Sequence, residues 1–276
     1  MQYLGTVSIL QTGDIMKKIV SVILLCCIFD LCAAGMFDQS AVDDIFAEAG
    51  VNGTFVLFDL SANRFVIHNK ERAESRFIPA STFKIPNSLI GLSSGAIESV
   101  DAILPYGGKP QFLKSWEKDM GLRDAIRISN VPVYQELARR IGIKRMAEYV
   151  TLLNYGNTQI GDTVDMFWLR GPLEISAIEQ TRFLAKLAMG ELPLPTDVQS
   201  SVRDIVKTDQ EEDWTLYAKT GWASSYEPAI GWWVGWVEKN GRIFSFALNM
   251  DMPDVGDVKK RKSLGKASLK VLGVID

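Results

Sequence analysis

Histidine and cysteine are nearly missing from this chain, which has one of the first, His68, and three of the second among 276 residues. Zinc sites and Ser-His-Asp or Cys-His catalysis need those side chains inside the folded domain, so most such constellations are excluded at once. Neither sign of charge dominates: Lys+Arg 30 against Asp+Glu 33 gives a formal net charge of −3, which argues against a nucleic-acid footprint. A long apolar run is missing too. The stretch Ile19 to Phe29 falls well short of the roughly 20 residues that span a bilayer. What the chain does have is a 47% hydrophobic composition, enough for one large core.

All three cysteines, Cys26, Cys27 and Cys32, sit in one N-terminal segment. There, Met16-Lys17-Lys18, the run Ile19 to Phe29 and Cys32-Ala33-Ala34 form the basic, apolar and small-residue regions of a secretory signal peptide. Residues 1–34 are therefore expected to be upstream residues plus a cleaved signal, and residues 35–276 a single catalytic domain in the periplasm or secreted medium. Met16 is an alternative start to Met1, because the residues before it fit no region of a signal. An uncleaved anchor and a lipoprotein are the other readings; Asp30 just before Cys32 counts against the second. Cleavage removes two lysines and two aspartates, so the charge does not change, and it removes every cysteine. An exported domain without disulfides must be held by its core.

Along the chain, helices and strands alternate. Ser40 with Asp43, closed by Gly50, reads as a capped helix. Thr54 to Leu60 and Arg64 to Asn69 read as a hairpin, and residues 81–182 are mostly helical, with Pro132 in one first turn and Ser176-x-x-Glu179 as a capping box. Strands return at Trp214 to Lys219, Gly231 to Glu238 and Arg242 to Met250, with Asn240-Gly241 as a hairpin turn, before a closing helix from Val258 to Leu272. Strands at both ends of a helical middle predict an α+β fold: an antiparallel sheet flanked by helices, with an inserted helical region.

Ser81-Thr82-Phe83-Lys84 places a hydroxyl and an amine three residues apart at a helix start, marked by Pro86. A lysine can activate a serine only when neutral, and burial beside Phe83 and Ile85 would lower its pKa. Taken alone, the same pattern is more often a cap with a solvated lysine. Two further clusters change that weighing. Lys219-Thr220-Gly221-Trp222 stands at a predicted strand end, where cation and hydroxyl can meet a carboxylate and the glycine leaves room for a substrate along the strand edge; Ser129-Asn130-Val131 precedes the Pro132 helix. Ser-x-x-Lys, Ser-Asp-Asn and Lys-Thr-Gly are the signature set of serine β-lactamases and penicillin-binding proteins, and all three occur here in the right chain order with the middle one altered.

With Ser129-x-Val131 as the triplet, Tyr155-Gly156-Asn157, and Trp168 in Phe167-Trp168-Leu169, the sequence resembles a class D (oxacillinase-type) serine β-lactamase over nearly all of residues 35–276. The resemblance implies that Ser81 is the acylated nucleophile and that Lys84 is the general base, carboxylated by CO2. It further implies that Trp168 donates to that carbamate, that Ser129 relays a proton to the leaving nitrogen, and that Val131 and Leu169 control hydration of the lysine. Lys219, Thr220, Gly221 and Arg261 would bind the substrate carboxylate region, and the backbone N–H groups of Ser81 and Trp222 would form the oxyanion hole. Tyr155 and Asn157 would support the pocket wall. Trp232, Trp233 and Trp236 read as strand packing, and His68 as structural or exposed. No metal and no cofactor beyond the carbamate are implied. Partners are small-molecule β-lactams, with no nucleic acid and no stable membrane association, and a homodimer is left open. The competing reading is a penicillin-binding sensor or transpeptidase-like module that acylates without turnover.

Overall fold

The structure, a computed structural model, describes residues 37–276. The expected leader, its three cysteines, both candidate start positions and the cleavage point near Gly35 lie outside the described residues.

Six antiparallel strands form one sheet in the order Arg64–His68, Gly53–Asp59, Arg242–Met252, Ala229–Lys239, Trp214–Ala223, Lys207–Gln210. The hairpin β1 (Gly53–Asp59) and β2 (Arg64–His68) stands at one edge, and β5 (Lys207–Gln210) at the other. Between them run β6 (Trp214–Ala223), β7 (Ala229–Lys239) and β8 (Arg242–Met252). Asn240 and Gly241 turn the last hairpin with φ of 49° and 75°, the left-handed pair that lets two strands reverse in register. On β7, Trp232 and Trp236 face the main core while Trp233 packs on Phe246 across the other side, so the strand is buried on both faces.

That second face is covered by α1 (Gln39–Ala49) and by the closing helix, Lys260–Val271. The cap of α1 corrects the sequence expectation: the side chain of Asp38, not of Ser40, accepts the Ser40 N–H at 3.0 Å. Asp43 is left to pair with His68 Nδ1 at 2.6 Å, and Phe46 stacks on that ring, so the lone histidine is structural.

The opposite face carries the helical middle. A single 3₁₀ turn, Ala80–Phe83, runs into α2 (Lys84–Ser93), followed by α3 (Leu122–Arg127), α4 (Val131–Ile141), α5 (Ile143–Leu152) and the short α6 (Phe167–Arg170). The Ser176 capping box opens α7 (Ala177–Met189) as expected, and α8 (Thr196–Val206) leads into β5. The α+β architecture with its helical insert is the one the sequence predicts. A two-stranded ladder, Arg76–Phe77 with Ile175–Ser176, is not, nor is β5. The first is too short to show a period of two, and β5 reads Lys-Thr-Asp-Gln, polar throughout.

Lys219-Thr220-Gly221 also differs from expectation. It lies inside β6 and not at its end, because Trp222 and Ala223 continue the pairing with Gly231 and Ile230. On the outer side, β5 pairs only with Thr215, Leu216 and Tyr217, so from Lys219 onward β6 has a free edge.

Candidate active site

Ser81 is held where helix and sheet meet. The indole N–H of Trp232 donates to the Ile78 carbonyl at 2.9 Å, the Thr82 hydroxyl donates to the Pro79 carbonyl at 2.7 Å, and Gln180 donates to Thr82 Oγ1 at 2.9 Å. These bonds clamp the turn against β6 and β7. Gly221 makes the contact possible, since a Cβ there would sit 2.9 Å from the Pro79 carbonyl oxygen and 3.1 Å from Thr82 Cγ2. The glycine therefore serves the approach of the Ser81 turn to β6, and room for a substrate is not the whole reason for it. Gly221→Ala is expected to displace that turn, lowering kcat/KM about 10–100-fold with a smaller change in melting temperature. Steady-state kinetics checks it, and unchanged activity would refute this role for the glycine.

From this turn α2 begins at Lys84, whose Nζ lies 2.9 Å from Ser81 Oγ. The amine is 1% exposed and stands 5.3 Å from the centre of the Tyr134 ring. Burial, with no carboxylate paired to it among the described residues, pulls its pKa down from 10.5 to about 7. Phe83, its neighbour in the chain, packs among aromatic rings: it stacks on Trp168 at 5.5 Å and meets Phe167 edge-on at 5.0 Å. Trp168 is fully buried, yet its indole N–H has no partner. An orphaned buried donor stacked on Phe83, the chain neighbour of Lys84, fits the anion that a carbamate on Lys84 would bring.

Ser129 holds the strained left-handed value of φ 58° ahead of α4, whose cap is the buried Asn130, accepting from Val133 N–H at 3.1 Å. Its hydroxyl receives Lys219 Nζ at 2.9 Å, and the same amine donates to the Thr220 carbonyl at 3.0 Å. Burial pushes Lys219 well below its ordinary pKa, with the nearby positive charges of Lys84, Arg261 and Lys262 adding to the shift. Arg261, in the first turn of α9 (Lys260–Val271), reaches β6 by donating to the Gly221 carbonyl, and its Nε donates to Val258 at 2.9 Å. Desolvation lowers it to about 10. Val131 and Leu169 are half-buried, the first opening α4 and the second in α6, where its carbonyl accepts the Ser225 hydroxyl at 3.4 Å. Tyr155 and Asn157 do support the wall: Tyr155 bonds Gln180 at 3.4 Å and Asn157 donates to the Pro172 carbonyl at 2.8 Å.

Two neighbours were not singled out from the sequence. Tyr134 stands under the Lys84 amine, its hydroxyl 2.8 Å from Ser88 Oγ, and Trp116 receives the Asn130 amide on its carbonyl at 3.2 Å. The spacing of Tyr134 three residues after Val131, on one helix face, was the available signal for the first; nothing local marks the second.

A serine, two lysines of lowered pKa and an arginine, the three cations without counter-ions among the described residues, form a site that can take a proton from a hydroxyl and receive an anionic substrate. A family model of the penicillin binding protein transpeptidase domain matches residues 53–270. The chain is a member of that superfamily. Beta-lactamase OXA-5 of Pseudomonas aeruginosa is 42% identical over 233 residues, 83% of this chain and 87% of that protein. Beta-lactamase OXA-48 of Klebsiella pneumoniae is 40% identical over 225 residues, covering 82% and 85%. The crystal structure of FUS-1 (OXA-85), a class D β-lactamase of Fusobacterium nucleatum subsp. polymorphum, matches with a TM-score of 0.84 and 44% identity, over 87% of this chain and 100% of that one. Within the superfamily, this chain belongs to the class D β-lactamases and hydrolyses β-lactams.

Proposed function

We propose that hydrolysis runs through an acyl-enzyme on Ser81. Lys84 takes the hydroxyl proton as Oγ bonds to the lactam carbonyl carbon, and as the C–N bond breaks that proton is returned through the Ser129 hydroxyl, held by Lys219, to the leaving nitrogen, which leaves Lys84 neutral again. Water then attacks the ester carbon, the Lys84 site takes its proton, and the serine hydroxyl is restored. Backbone N–H groups of Ser81 and Trp222 hold the developing oxyanion, and Thr220 with Arg261 holds the ring carboxylate. A carbamate on Lys84 would supply a stronger base than the amine at neutral pH, held there by the Trp168 N–H. Every group in this scheme comes from one chain. Residues 1–34 carry the protein to the periplasm or the medium, where its substrates arrive.

The observation that carries this reading is the buried Lys84 amine, 2.9 Å from Ser81 Oγ and with no counter-ion among the described residues. Intact-mass time courses with a penicillin test it. The wild-type adduct is expected to appear and then vanish, faster with added bicarbonate, whereas Trp168→Phe keeps the adduct about 100-fold longer. A lasting wild-type adduct would remove the hydrolytic scheme, and indifference to bicarbonate would remove the carbamate.

A further inference from the structure

Beyond Thr220 a cleft of about 540 Å³ opens between α3 and α9, floored by β5 and β6 where their pairing ends at Tyr217. Lys219 and Thr220 line its inner end, so it is continuous with the place assigned to the ring carboxylate. Its charges are not balanced. All three lining carboxylates are already in ion pairs: Asp124 with Arg127 at 2.9 Å, Asp204 with Arg123 at 2.6 Å and Asp209 with Lys266 at 2.9 Å. Lys207, Lys219 and Lys262 line the same cleft, and none has a carboxylate partner among the described residues. Lys207 bonds only the neutral Gln210, and the exposed Lys262 side chain makes neither hydrogen bond nor ion pair.

We propose that this cleft is a second anion subsite, which selects β-lactams bearing an additional carboxylate on the substituent next to the ring carboxylate. The inference rests on the placement of the ring carboxylate at Thr220 and Arg261. With that group anchored there, a substituent on the neighbouring ring atom points past Thr220 into the cleft. Its carboxylate then meets Lys262 and Lys207, the two cations that the protein leaves unpaired at the outer end. A neutral substituent of the same size gains nothing from them, so the subsite acts on selectivity and not on the chemical step.

The test uses two cephalosporins that differ only in that substituent, one ending in a carboxylate and the other in its methyl amide. Acylation rates are read by single-turnover mass spectrometry, so they report whether or not the adduct later hydrolyses. The wild-type preference for the carboxylate form is expected to fall about fivefold in Lys262→Ala, further in Lys262→Glu, to survive in Lys262→Arg, and to shrink with added salt. Lys207→Ala provides an independent second lesion, and melting temperatures confirm folding. A preference unchanged in Lys262→Ala and Lys262→Glu, or an equal fall for both substrates, would overturn the proposal. Wild-type acylation without turnover would instead sink the hydrolytic scheme and leave the selectivity ratio readable.

Discussion

Lys84→Met is expected to abolish turnover, by about 10⁴-fold or more, while making the protein more stable at neutral pH. The two effects have one cause. A lysine buried to 1% exposure and held at a pKa of about 7 can accept a proton near neutral pH because the fold disfavours its charge, and that same disfavour opposes folding. Each pKa unit corresponds to about 1.4 kcal/mol, so the fall from 10.5 sets an upper bound of about 4 kcal/mol at pH 7. Methionine fills a similar volume without a charge. The sign of the pH dependence follows from proton binding. Between about 7 and 10.5 the unfolded chain holds the proton and the folded one does not, so wild-type stability rises with pH across that window. Below 7 the penalty is complete. The stability gained by Lys84→Met should therefore be largest at or below pH 7 and fade toward pH 10.5, in buffer stripped of CO2. Thermal melts over that range check it, and a variant less stable than wild type at pH 7 would show that the amine is stabilised by something other than what surrounds it here.

Ser81→Ala is expected to eliminate acylation altogether, leaving binding without reaction. The hydroxyl is the hydrogen-bond partner of the Lys84 amine, at 2.9 Å. Its loss removes one hydrogen bond, worth about 1 kcal/mol, so the fold should hold and the lost activity can be assigned to chemistry. Turnover is expected to fall by about 10⁴-fold or more, with no mass adduct after long incubation, while calorimetry still detects the β-lactam through Thr220 and Arg261. An adduct on the variant would move the nucleophile elsewhere.

How much of this site was legible depended on whether its cause was local. The serine and lysine three residues apart at a helix start and the Asn240-Gly241 turn are short-range patterns, and both stand where expected. The cap of α1 was misassigned by two residues, because Asp38, Ser40 and Asp43 are all competent caps and only the pairing of Asp43 with His68 separates them. The end of β6 was placed too early, because a glycine reads as a breaker unless a partner strand is known to continue beside it. Tyr134 and the β5 edge depend on contacts between segments distant in sequence, which no window of residues reports.

By itself, the amino-acid sequence determined the chemical inventory: a single histidine outside the serine motifs, no cysteine after position 32, and a serine with a lysine beside it at a helix start. Whether that lysine is a base was decided only by tertiary structure. Protonation is set by solvent and neighbouring charge, and it took the packing of distant segments, with the Tyr134 ring 5.3 Å from the amine, to exclude water from it. The same applies to the unpaired lysines of the outer cleft, whose freedom exists only because the fold gives every nearby carboxylate to another cation.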